Sequence, residues 1–481
     1  MMKIDFGSSV LSVVLVGLAG GVFGLGCGNK SSSDAGNTSA GSGGAAQGGS
    51  SGVAGQGDIC GNSGGDAGTG GAVSPTWDWS GVVGTGQSLA VGQYGTPVKA
   101  TTQPYNNLKL STGTALWPLD PTDPTFTMVP LIEPIGRAST AYPSSYPTNI
   151  AGETPHAAMA NQITALYQQA SGNDYVGVHG EFGENGQCLT YLLKDATPNG
   201  VNGHAYAATL METQAITRLA QAAGKTYGVA AVIVTHGECD AGNTGYESSL
   251  YQLLSDYDTD IAAITGQTQK LLMIVSQQNS VNDSSASTLA QWKIGADHPA
   301  DVVCSGPKYQ YPYHAADHVH LETDGYERLG EKYGQVYFER VIMGHDWQPL
   351  QPTNVERSGA VITVHFHVPV MPLVWDDTLQ PPHQDIAEWA AGKGFEVRSS
   401  SGRETITSVT IACDTVQITL ANADATGLYV GYALTGATTA MASPFVGTFR
   451  WGQLRDSDPF VGSMTQKPQP NYAVAFELPV P

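Results

Sequence analysis

Apolar residues fall in short, uninterrupted runs through the middle of this 481-residue chain. The runs at 81–85, 175–179, 229–235, 271–276 and 302–304 are each bounded by glycine or polar residues and show little alternation. That is how strands buried on both faces read. Helical periods lie between them. Leu250, Leu253, Leu254, Tyr257, Ile261 and Ile264 form one stripe, Leu210, Ala215 and Leu219 a second, and residues 156–167 a third. A last helix is expected to follow Thr323 and run toward Met343. Strands alternating with helices predict an α/β fold with a parallel sheet covered on both faces and its chemistry at the carboxyl ends of the strands. After Trp347 the texture changes. Segments 361–368, 395–398, 408–412, 416–420 and 428–433 are β-rich, separated by turn residues, and carry no helical stripe. They predict a small all-β sandwich. The expected boundaries are an α/β domain over 77–344 and a β-sandwich domain over 345–481.

The start of the chain has a different pattern. Lys3 precedes an apolar run from Val10 to Leu25, too short for a membrane span and placed as an export signal. It ends in Gly24-Leu25-Gly26-Cys27, which resembles a bacterial lipobox except that Gly24 stands where an aliphatic residue is usual. Residues 1–27 are thus expected to be a signal peptide of lipoprotein type, with Cys27 lipidated and the protein exported, either secreted or held at the outer membrane or cell surface. Residues 28–76 are nearly all Gly, Ser, Ala, Asn, Asp and Gln, too polar to offset the entropy of ordering, and read as a flexible tether. Acidic residues outnumber basic ones by 42 to 21, giving a net charge of −21. This disfavours nucleic acid and anionic membranes as partners and leaves a lipid anchor as the one expected membrane contact.

Candidate chemistry begins at Ser88. It follows the first strand and is preceded by Gly84, Gly86 and Gln87, so a sharp strand-to-helix turn can present its hydroxyl near a helix N-terminus. Ala90 stands where the G-x-S-x-G elbow has its second glycine, so this is not that motif. Asp317 and His320 lie three residues apart just before the last helix. The Asp can fix the imidazole tautomer and leave the other ring nitrogen to take a proton from a serine. A metal held by His314, His318 and His320 is the competing reading, weakened by the lack of a nearby Cys or Glu cluster. Glu238 and Asp240 follow a strand together. Paired carboxylates suit glycosidase chemistry, but structural hydrogen bonding around the cleft is preferred, because Ser88, His320 and Asp317 already complete a mechanism. Cys188 and Cys239 each follow a middle strand and can pair in an exported protein.

Four ordered blocks then carry a resemblance: Gly86-Gln87-Ser88, Gly152-Glu153-Thr154-Pro155, His236-Gly237-Glu238-Cys239-Asp240, and Asp317-x-x-His320. Together they resemble the SGNH hydrolase superfamily, in its sialate O-acetylesterase-like branch of carbohydrate esterases. The resemblance covers roughly 80–340 and implies a flavodoxin-like three-layer domain. It implies Ser88 as nucleophile, His320 as general base, Asp317 as the residue that orients it, and the N–H groups of Ser88 and Gly152 as oxyanion donors. The family often has Gln where this chain has His236, so the third donor is expected from His236 or from Asn185. The implied activity is hydrolysis of O-acetyl groups on carbohydrate through an acyl-enzyme, without cofactor or metal. A polyester depolymerase or lipase-like esterase acting on longer acyl groups is a second reading, and a non-catalytic glycan-binding lipoprotein a third.

Overall fold

The computed structural model describes residues 75–111, 120–135, 152–196, 204–281, 286–436 and 448–481. The expected export signal with Cys27, and the tether as far as residue 74 with Cys60, lie outside the described residues. No helix among the described residues is long and apolar enough to cross a membrane.

The five apolar runs fall on five strands of one seven-stranded sheet. Its strands are β1 (Trp79–Gly86), β2 (Leu108–Leu110), β3 (Met128–Pro130), β4 (Gly177–Glu181), β5 (Tyr227–Thr235), β6 (Leu272–Gln277) and β7 (Val302–Pro307), in the order β3-β2-β4-β1-β5-β6-β7. Only β3 runs antiparallel, against β2 at the edge. Five helices accompany the sheet: α1 (Pro155–Ser171), α2 (His204–Ala222), α3 (Tyr246–Thr265), α4 (Ala286–Asp297) and α5 (Thr323–Tyr337). Alternate strand residues explain the unbroken apolar runs. Val82, Ala231, Ile233, Ile274 and Val303 pack with Met159 and Ile163 of α1 and Leu329 and Tyr333 of α5. Their neighbours Val83, Val232, Val234 and Val275 pack with Ala215 of α2, Leu250 and Leu254 of α3 and Ile294 of α4. Both faces are covered, so neither alternate set is polar. Among β4-β1-β5-β6-β7 the strand order reverses between β1 and β5, which opens a crevice at their carboxyl ends.

The β-rich half follows a π-helical turn (Phe338–Ile342). One four-stranded antiparallel sheet joins β8 (Gln351–Ser358), β9 (Val361–His367), β13 (Ile406–Ala412) and β14 (Thr415–Leu420). The other joins β11 (Phe395–Ser399), β12 (Gly402–Arg403), β15 (Tyr429–Tyr432) and β17 (Phe476–Pro479), and a short ladder pairs β10 (Val374–Trp375) with β16 (Leu454–Arg455). Phe366 of β9 meets Phe395 of β11 and Phe476 of β17 edge to face, at 6.5 and 6.0 Å, between the two sheets. The β-rich half also packs directly on the α/β half. Trp292 of α4 lies 6.2 Å from Phe476, and Gln277 at the end of β6 exchanges two hydrogen bonds with the backbone of Ala475.

Candidate active site

Residues 87–94 follow β1 as a tight turn. Ala90 and Val91 donate backbone N–H bonds to Gln87 O, and Gln93 donates to Ser88 O. The helix expected directly after Ser88 is absent. Gly92, at φ +77°, takes the chain out of the turn, and among the described residues the next helix begins at Pro155. Gly86 makes the turn possible. At φ +151° an added Cβ would lie 2.1 Å from Thr235 O, where β1 and β5 run side by side.

Ser88, His320 and Asp317 come together although 229 residues separate Ser88 from Asp317 in the chain (317 − 88). Ser88 Oγ is 2.7 Å from His320 Nε2, and His320 Nδ1 is 2.6 Å from Asp317 Oδ2. The carboxylate accepts from Nδ1–H, which leaves Nε2 as an acceptor for the Ser88 hydroxyl. Asp317 Oδ1 also accepts the N–H groups of Val319 and His320. Burial works to raise the Asp317 carboxyl, but the hydrogen bonds from the His320 ring and from these two amides outweigh it and hold its pKa below the ordinary value. His314 anchors the loop by donating its N–H to His320 O at 2.7 Å.

Gly152 lies against the Ser88 turn. A Cβ on it would sit 2.0 Å from Gly92 O, so no other residue fits there unmoved. Among the described residues, neither the Ser88 N–H nor the Gly152 N–H has a hydrogen-bond acceptor. Asn185 is half-buried and donates one amide hydrogen to Gln93 Oε1, which places it beside the same turn, its second hydrogen without an acceptor among the described residues.

Both ring nitrogens of His236, one of the two residues expected to supply the third donor, have partners within the protein. The ring is fully buried; Nε2 donates to Gln187 O at 3.1 Å, and Nδ1 accepts the Tyr246 hydroxyl at 2.9 Å. Its plane stacks on Tyr246, and burial lowers its pKa. With both nitrogens engaged, it braces the floor of the cleft. The rest of that block also braces. The Cys239 N–H donates to Gln87 Oε1, and Asp240 accepts from Leu189 N–H and Asn243 Nδ2. Glu238 pairs with the fully buried Lys308 at 3.3 Å. Cys188 and Cys239 form a disulfide, which ties the segment after β4 to the segment after β5. Cys304 is a free, buried thiol, and Cys413 is disulfide-bonded.

The three histidines of the metal reading diverge. His314 stacks on Tyr94, His318 lies edge-on to Phe449, and His320 faces Ser88. Among the described residues, the one group with metal-ligand proximity is Cys188, Cys239 and Asp240, whose sulfurs are already bonded to each other.

Residues that motif reading passes over complete the site. Gln93 links Ser88, Asn185 and Tyr326, whose hydroxyl donates to Gln93 O at 2.7 Å. Beneath β1, buried His156 and Glu181 pair at 2.9 Å, and Glu181 accepts the Gly183 N–H. A Cβ on Gly84 would lie 2.0 Å from Glu181 Oε2, so that glycine makes room for the pair.

No family model matches the chain, and no curated protein matches its sequence. Solved structures do match. A carbohydrate acetylesterase from Xanthomonas citri aligns with a TM-score of 0.50 at 11% identity, covering 83% of this chain and 80% of that one. A protein from Arabidopsis thaliana aligns at 0.39 and 15% identity, over 55% of this chain and 98% of that one. A carbohydrate acetylesterase from Sinorhizobium meliloti aligns at 0.30 and 12% identity, over 53% and 97%. At these identities the likeness is one of fold: the chain has the mixed α/β architecture of the Xanthomonas protein.

Proposed function

We propose that this chain is a serine esterase that removes O-acetyl groups from carbohydrate through an acyl-enzyme. The observation that carries the reading is the unbroken row Ser88 Oγ–His320–Asp317, with contacts of 2.7 and 2.6 Å. It stands beside two backbone N–H groups that have no acceptor among the described residues. Ser88 attacks the ester carbonyl as His320 takes its proton. The oxyanion is met by the N–H groups of Ser88 and Gly152 and by Asn185. His320 then protonates the departing alcohol, and water repeats the cycle on the acyl-serine. Acetate on carbohydrate is the substrate class favoured by the fold shared with a carbohydrate acetylesterase and by the four-block resemblance to SGNH carbohydrate esterases. In this reading the N-terminal signal and Cys27 deliver the enzyme to the cell surface or the medium.

The test is acetate release from acetylated sugars, together with hydrolysis of simple esters of graded acyl length. Wild type is expected to prefer acetate and to lose rate as the chain lengthens, and Ser88→Ala to lose at least about 10³-fold in kcat. Rates that climb with acyl length would favour the polyester or lipase reading. Unchanged turnover in Ser88→Ala would remove the serine mechanism.

A further inference from the structure

The geometry points to Tyr94 and His314 as a stacking platform that holds the sugar ring of the departing alcohol, an inference that rests on the esterase reading above. Large apolar side chains open to solvent are few among the described residues, and Tyr94, at 38% exposure, is the one that stands against the proposed base. One face of its ring lies on His314, with centroids 4.3 Å apart and planes 14° from parallel. His314 is itself fixed, since its Nδ1 accepts the Ala316 N–H and its backbone N–H donates to His320 O. The Tyr94 ring centroid is 5.5 Å from that of His320. Tyr94 also holds the left-handed backbone conformation, at φ +64°, where a bulky residue is uncommon.

The chemistry assigns the platform to one end of the substrate. His320 takes the proton from Ser88 and returns it to the leaving alcohol oxygen, so the alcohol must lie over His320. The acyl group, bonded to the carbonyl, lies toward the oxyanion donors. A ring packed beside His320 therefore meets the alcohol part and not the acyl part. A pyranose presents an apolar C–H face with slight positive charge, which complements the negative face of an aromatic ring. Tyr94 thus selects for a cyclic, C–H-rich alcohol such as a sugar over a small alkanol.

The experiment compares kcat/KM on glucose pentaacetate with kcat/KM on ethyl acetate, both followed by acid release. Tyr94→Asn is the chosen variant, because Asn accepts the left-handed conformation and removes the ring. The sugar-to-ethyl ratio is expected to fall about three- to tenfold in Tyr94→Asn, carried mainly by KM, and to be retained in Tyr94→Trp. An unchanged ratio in Tyr94→Asn, or an equal fall in Tyr94→Trp, overturns the platform. If wild type hydrolyses neither ester, the esterase reading fails separately. Saturation-transfer NMR of glucose pentaacetate on Ser88→Ala against Ser88→Ala/Tyr94→Asn then decides the platform. Loss of transfer in the double variant supports it, and equal transfer overturns it.

Discussion

Asp317 is the residue on which the proposed mechanism turns most sharply, because it does two things with one carboxylate. Its Oδ2 orients the His320 ring, and its Oδ1 holds the loop amides of Val319 and His320. The lowered pKa means the carboxylate stays ionised through the neutral range and beside the imidazolium that forms during attack. Asp317→Asn keeps the shape and can still accept the two amides. Its NH₂ group, however, favours the ring tautomer in which Nε2 carries the hydrogen and cannot take a proton from Ser88. Activity on a simple acetate ester is expected to fall about 10²- to 10⁴-fold with little change in the urea midpoint. An equal loss of stability and activity would mean that Asp317 serves the loop alone. The Asp317–His320 spacing was legible in the sequence because both residues sit on one local turn. The partners of His236 were not. Gln187 reaches it from the segment after β4 and Tyr246 from the first residue of α3, ten residues on, and no motif encodes a contact between the ends of different elements. Tyr94 was illegible for a related reason: an exposed aromatic in a turn gains meaning only when His314 and His320 fold back beside it.

At the scale of the elements, strands β1, β4, β5, β6 and β7 of the large sheet and four of its five helices could be read because their buried faces are apolar. Helix α4 could not, because Ser287, Thr288 and Gln291 share its buried face with Ala290 and Ile294. Ser287 donates to Gly237 O, Thr288 to Gln278 O, and Gln291 to His236 O. Those bonds satisfy backbone carbonyls at the ends of β5 and β6, and they replace the apolar stripe that would have marked a helix. The edge strands β2 and β3, three residues each, are likewise too short to show a period. The junction of β1 with its turn is the most constrained of these elements. Gly86→Ala would force a Cβ against Thr235 O, a backbone atom of the neighbouring strand, at an unfavourable φ. It is expected to destabilise the fold by about 1–3 kcal/mol or more and to cut activity further than the stability loss explains, since Ser88 lies two residues on. Urea unfolding and kcat on the same preparations check this. A variant with full turnover and an unshifted midpoint would show that β1 and β5 can part without cost.

Across the whole molecule, the β-rich half is welded to the α/β half by buried polar groups as well as by apolar packing. Arg450 is fully buried and donates to Gln278 O, Asn279 O and Thr288 Oγ1, and Lys332 reaches Gln469 O and Asn471. At several other buried ionisable groups burial outweighs the hydrogen bonds and charges that face them, and these groups set how stability depends on pH. Burial raises Glu133 to about 7, Glu153 to about 8 and Glu212 to about 8, from an ordinary 4.5. Coulombic repulsion from Glu133 adds to the rise at Glu153. Each therefore holds a proton in the folded chain at pH values where the unfolded chain has lost it. Their stabilisation is complete below 4.5 and is lost as pH rises through the folded values. Buried His179 and His236 have lowered pKa values and act oppositely, losing stability as pH falls below 6.5. Lys332, brought down to about 8 by burial, adds stability with rising pH only above 8. Between pH 6.5 and 8 the carboxyls act unopposed by either. The unfolding free energy is expected to drop across that window by a few kcal/mol, at up to about 1.4 kcal/mol per unit for each group. Glu153→Gln and Glu212→Gln should each remove a share of the slope and raise the urea midpoint at pH 8 more than at pH 6.5. Midpoints that stay level from 6.5 to 8 in the wild type would show that these carboxyls ionise in place, with water or a backbone shift relieving their burial.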